Sequence, residues 1–92
     1  MNFNRGTASS VGFGYIAPAN GWICWMDNPY SSSSFMIIEC SHNGLYKAGN
    51  IHHGKVDTDC IISCPMIKGD NAGFYGIGLT YNAYSTIRFF IQ

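Results

Sequence analysis

Asn20-Gly21-Trp22-Ile23-Cys24-Trp25-Met26 sets two tryptophans, an isoleucine, a cysteine and a methionine in five consecutive positions behind a turn dipeptide. Side chains alternate across a strand, so Trp22, Cys24 and Met26 point one way and Ile23 and Trp25 the other. Both faces are apolar. Such a strand is expected between two layers, either two sheets or one sheet and a neighbouring subunit. Each indole covers about 150–250 Å², worth roughly 4–6 kcal/mol at about 25 cal/mol per Å² before entropy is charged against it. A buried helix is a poor alternative, because the run is short and is closed by Asp27-Asn28-Pro29.

Upstream, Val11, Phe13 and Tyr15 alternate with Gly12 and Gly14, a strand with one nearly bare face, and Ala17-Pro18-Ala19-Asn20-Gly21 turns it. Downstream, Asp27 to Ser34 reads as a polar loop and Phe35-Met36-Ile37-Ile38-Glu39-Cys40 as a strand. Asn43-Gly44 is the strongest hairpin signal of the chain, with Leu45 to Ala48 returning from it. Gly49 to Asp59 gives no clear reading. Cys60 to Cys64 is a strand closed by Pro65, Lys68-Gly69-Asp70 a turn, Asn71 to Tyr81 a glycine-aromatic segment, and Ile87 to Ile91 a final strand. No segment keeps a 3.6-residue apolar period. About seven to nine short antiparallel strands with regularly spaced turns predict an all-β jelly roll or β-sandwich over residues 11–92. Residues 1–10 are polar, lack the apolar core of a signal peptide, and read as a linker or stalk remnant.

A 92-residue chain that is 47 % apolar and only 11 % charged has too little charge to coat a small monomer. Self-association is therefore expected. Five basic and five acidic residues without clustering argue against a nucleic-acid surface, and no apolar run approaches a membrane span. Cys24, Cys40, Cys60 and Cys64 read as buried free thiols, with at least one disulfide among them as the alternative. Cys60 and Cys64 share one strand face but lie about 13 Å apart along it, too far to bridge each other.

Chemistry is sparse. His52, His53, Asp57, Asp59, Cys60 and Cys64 carry metal-capable atoms, but adjacent histidines face opposite ways on an extended chain and the two thiols are too far apart for one ion. No nucleophile elbow or separated carboxylate pair is present, so neither a catalytic site, a metal nor a cofactor is expected.

Taken in order, Ala17-Pro18-Ala19-Asn20-Gly21-Trp22, the serine-rich loop, Asn43-Gly44, Cys64-Pro65 followed by Lys68-Gly69-Asp70, and the Phe89-Phe90-Ile91 ending resemble the compact trimeric jelly rolls of complement-type heads and tumour-necrosis-factor-like domains. Within that group the chain, from about Gly14 to Gln92, is most similar to bacteriophage tail-fibre tip domains. The resemblance implies a homotrimer in the virion, made in the host cytoplasm, whose tip loops bind a bacterial surface glycan or protein. It implies a receptor-binding set of Tyr81, Asn82, Tyr84 and Ser85 with His42 and Asn43, all placed at the end away from the stalk. Tyr81 and Tyr84 serve equally well as trimer packing. Trp22, Trp25, Phe13, Tyr15, Phe74 and Phe89 are assigned to core or subunit contact. The rival readings are a structural trimerisation cap or capsid decoration module, and a secreted signalling domain of the complement-head type.

Overall fold

The computed structural model describes residues 4–7, 13–81 and 86–92, with backbone alone at 4–7, 13 and 14. It is all-β. The strands are β1 (Asn4–Thr7), β2 (Phe13–Ile16), β3 (Gly21–Asp27), β4 (Phe35–His42), β5 (Leu45–His53), β6 (Cys60–Met66), β7 (Asn71–Ile77) and β8 (Ile87–Ile91). They form two four-stranded antiparallel sheets: sheet I in the order β1-β8-β3-β6 and sheet II in the order β2-β7-β4-β5. The pairs β4·β5, β3·β6, β2·β7 and β1·β8 nest like one long hairpin folded at Asn43-Gly44. Rolled over on itself, that hairpin is a jelly roll.

The fold of the hairpin is local chemistry. His42 pairs with Leu45, and the two residues between them have positive φ, 51° at Asn43 and 80° at Gly44, as a two-residue primed turn requires. Strand alternation then builds the core. Ile23 and Trp25 of β3, Ile62, Cys64 and Met66 of β6, and Ile87 and Phe89 of β8 point inward from sheet I. Met36, Ile38 and Cys40 of β4 and Ala72 and Phe74 of β7 meet them from sheet II. Two aromatic pairs bridge the sheets, Trp25 with Phe74 edge-to-face at 5.9 Å and Tyr15 with Phe89 at 5.7 Å.

Four readings of the sequence change. The tryptophan strand is dry on one face only: Trp25 is 2 % exposed, whereas Trp22 is 38 % exposed on the outside of sheet I, over which this chain lays no further layer among the described residues. Asn4–Thr7, expected in a linker, pairs with β8 as an edge strand, where a polar sequence is tolerated. The unread segment after Ala48 continues β5 to His53, an edge strand whose outer side faces solvent and so needs no apolar alternation. Pro65 lies inside β6 rather than closing it, which an edge strand permits.

Turns gather at two ends. One holds the Ala17–Asn20 turn, the Asn43-Gly44 turn, Ile67–Asp70 and Gln92, joined by bonds such as Ala17 N–H to Asp70 O at 2.9 Å and Gln92 N–H to Asn20 O at 2.9 Å. The other holds Asn28–Ser34, Gly54–Asp59 and Gly78–Tyr81, joined by Tyr30 N–H to Gly78 O at 3.1 Å and Val56 N–H to Pro29 O at 3.1 Å.

Candidate functional site

The outer face of sheet II carries the best-formed site among the described residues. On β4 the residues that alternate with the buried Met36, Ile38 and Cys40 are Phe35, Ile37 and Glu39, and they face out. In register, Ile37 lies between Tyr75 of β7 and Ile51 of β5, and Glu39 between Gly73 and Gly49. Both neighbours of the carboxylate therefore lack a side chain. A Cβ on Gly73 would come within 3.3 Å of the Tyr75 phenol oxygen, and one on Gly49 within 3.0 Å of the Tyr46 oxygen. Two phenols thus lean over two bare positions, one on each side of Glu39.

The result is an open cleft of about 440 Å³ bordered by Glu39, Ser41, Tyr46, Asn71 and Tyr75. A second hollow of about 320 Å³ shares Glu39 and Tyr46 and is backed by Ile37 and Ile51. No hydrogen bond or ion pair engages Glu39 among the described residues, so both carboxylate oxygens are open to a ligand. An ionised carboxylate accepts paired hydroxyl protons, Asn71 and Ser41 offer donors and acceptors, and a phenol supplies a flat apolar body with a polar tip. This is the equipment for a neutral polyol ring.

A second cluster closes the end beside this cleft. Asp70 is buried, and its carboxylate accepts from His42 Nδ1 at 2.7 Å, Lys47 Nζ at 2.8 Å and Ile67 N–H at 3.0 Å. Burial alone would raise its pKa; the bonds from Lys47, Ile67 and His42 outweigh that and hold it below the usual carboxylate value. Lys47 reaches this carboxylate because it is the extra residue of a bulge. Cys40 pairs with Ala48 and Ser41 with Tyr46, leaving Lys47 unpaired and re-aimed.

Of the expected receptor-binding residues that are described, Tyr81 does not share a surface with His42 and Asn43. Three strands, β5, β6 and β7, separate the Asn43-Gly44 turn from Tyr81, and an odd number of antiparallel passes puts the two at opposite ends. His42 is committed to Asp70, and Asn43 is exposed in its turn. Tyr81 donates its hydroxyl to Asp59 at 2.6 Å, and that carboxylate pushes the phenol's pKa up. Asn82, Tyr84 and Ser85 lie outside the described residues. Of the assigned core set, Trp25, Phe74 and Phe89 are buried and Tyr15 packs against them. Trp22 is on the outside, and the side chain of Phe13 lies outside the description. Among the described residues no three His, Cys, Asp or Glu side chains are grouped to share a metal ion, and no helix is long and apolar enough to cross a membrane.

Sequence reasoning missed Glu39, Tyr46 and Tyr75. The available signal was Gly73 two residues before Tyr75 and Gly49 three after Tyr46, since a glycine on a strand beside a tyrosine leaves a lattice point for the ring to cover.

No family model, curated protein or solved structure matches this chain.

Proposed function

We propose that the chain is the receptor-binding tip module of a bacteriophage tail fibre, non-enzymatic, that assembles as a homotrimer in the virion and binds a glycan of the bacterial surface. The observation that carries the binding half is the isolation of Glu39 between Gly73 and Gly49, under the phenols of Tyr75 and Tyr46. A carboxylate with no partner among the described residues, flanked by aromatic rings and two side-chain-free positions, is suited to accepting hydroxyl protons.

Self-association falls to the other sheet. On the outside of sheet I, Trp22 lies in register between Phe90 and Pro65, and Met26 beside Ile61, which is 65 % exposed. Apart from Arg88, in register with Cys24 between these two rows, the residues here are large and apolar, the kind of surface a small monomer rarely leaves uncovered. Copies meeting through sheet I leave the cleft of sheet II turned outward, so one module serves both tasks.

The test pairs solution mass with binding. Light scattering should give about three times the 10.1 kDa of one chain. Binding to host cells, and to glycans released from them, should be lost with Glu39→Gln while the mass is unchanged. A trimer that binds no host surface instead assigns the chain as a structural cap.

A further inference from the structure

The core holds a thiol pair on which the proposed binding site does not draw. Cys40 of β4 and Cys64 of β6 face each other across the core from opposite sheets, each 1 % exposed, with sulfurs 3.3 Å apart. We propose that this pair is a redox modification site that closes into a disulfide between the two sheets, with a small hydroperoxide as the oxidant.

Geometry carries the inference. A disulfide bond is about 2.0 Å long, so the sulfurs need to travel only roughly 1.3 Å. They already lie along one line of contact, the Cys40 thiol donating to the Cys64 sulfur. The two strands belong to different sheets, so the bond adds a covalent tie between the two layers. It also closes a loop that holds the Asn43-Gly44 turn, all of β5 and the loop to β6, a long segment whose closure restricts the unfolded chain. Cys24 and Cys60 have no such partner: Cys24 lies in register with Ser63 and Arg88, and Cys60 with Asp27.

The electrostatics favour one order of events. The bond from Cys40 holds the Cys64 thiol below its ordinary pKa, against burial and the Asp70 carboxylate and with help from Lys47, whereas Cys40 is pushed up by the same bond and by burial. Cys64 is then the nucleophile. Its thiolate attacks one oxygen of the hydroperoxide, the O–O bond breaks, and a sulfenic acid forms as the other oxygen leaves and takes up a proton. The Cys40 sulfur attacks the sulfenic sulfur, the S–O bond breaks, and the hydroxyl leaves with the Cys40 proton as water. With hydrogen peroxide, two thiols and one peroxide become one disulfide and two waters, two electrons passing from sulfur to oxygen. A small oxidant suits a buried pair, because it can enter during local opening of the sandwich end.

The experiment uses the full chain and a Cys24→Ser/Cys60→Ser double variant that retains only the pair. Each is treated with hydrogen peroxide, alkylated after denaturation, and mapped by mass spectrometry. The expected result in both is loss of two hydrogens, a Cys40–Cys64 cross-linked peptide, and a rise in the urea unfolding midpoint that dithiothreitol reverses. Recovery of Cys40 and Cys64 as two alkylated thiols, their arrest as sulfinic acids, or a cross-link through Cys24 or Cys60 in the full chain would each overturn the assignment.

Discussion

Asp70 and His42 meet at 2.7 Å where the turn after β6 touches the end of β4, and the aspartate side chain there is only 1 % exposed. An ionised carboxylate can only accept, so His42 presents its Nδ1–H to it. Lys47 and the Ile67 N–H occupy the remaining oxygen, so one buried carboxylate ties β4, β5 and the turn before β7.

Replacing that carboxylate is expected to loosen the whole end. Asp70→Asn removes two charge-assisted bonds, but His42 and Lys47 are more than a third exposed and can be rehydrated. The loss should therefore be roughly 1–3 kcal/mol, typical of hydrogen bonds to charged groups, and not the larger penalty of a sealed pair. Urea unfolding at neutral pH measures it directly.

The pH dependence has a definite sign. The folded-state pKa of Asp70 is depressed, so its contribution is fully present above the unfolded value of about 3.9 and is lost as pH falls through the lower folded value. The urea midpoint should therefore decline below about pH 4, and Asp70→Asn should flatten that limb while lowering the plateau above it. An acid limb identical in the variant and the parent would assign the transition to other carboxylates.

Much of this architecture was legible from local pattern. Asn43-Gly44 located the central fold of the long hairpin because a primed turn takes two positive φ angles there, and the apolar runs of β3 and β4 marked both as strands without telling which face of each is core. What escaped was non-local. The β5 strand from Gly49 to His53 is shown by its pairing with β4, not by its own polar sequence. Glu39 becomes distinctive only when the register sets Gly73 and Gly49 on either side of it, a fact no single strand contains. The placement of Tyr81 opposite His42 depended on counting passes, where one miscounted strand moves a loop from one end to the other.

The two tryptophans of β3 should separate stability from assembly. Trp25 packs edge-to-face on Phe74 and is 2 % exposed, so Trp25→Ala should cost about 3–5 kcal/mol, a large share of what a domain of this size holds. Trp22 is on the outside of sheet I between Phe90 and Pro65, and Trp22→Glu puts a carboxylate between those two apolar side chains. The glutamate variant should keep the far-ultraviolet circular dichroism of the parent yet sediment as a single chain. A variant that stays assembled would move the contact between copies away from this face.

The cleft can be altered without disturbing the fold, because its two glycines differ in what they abut. A Cβ at position 49 would strike the Ile38 carbonyl at 2.7 Å, a backbone atom that cannot yield, whereas one at position 73 meets only the end of the Tyr75 ring at 3.3 Å. Gly73→Ala should therefore fold, displace the phenol and narrow the hollow beside Glu39. Glu39→Gln should keep the shape and remove the charge that accepts hydroxyl protons. Each is expected to weaken glycan binding by about tenfold or more, equivalent to one charged hydrogen bond, with unfolding midpoints within about 0.5 kcal/mol of the parent for Glu39→Gln. Titration calorimetry with a host-derived oligosaccharide reads both. Because one variant changes space and the other charge, equal affinity of both with the parent would place the receptor elsewhere, at the Tyr81 end.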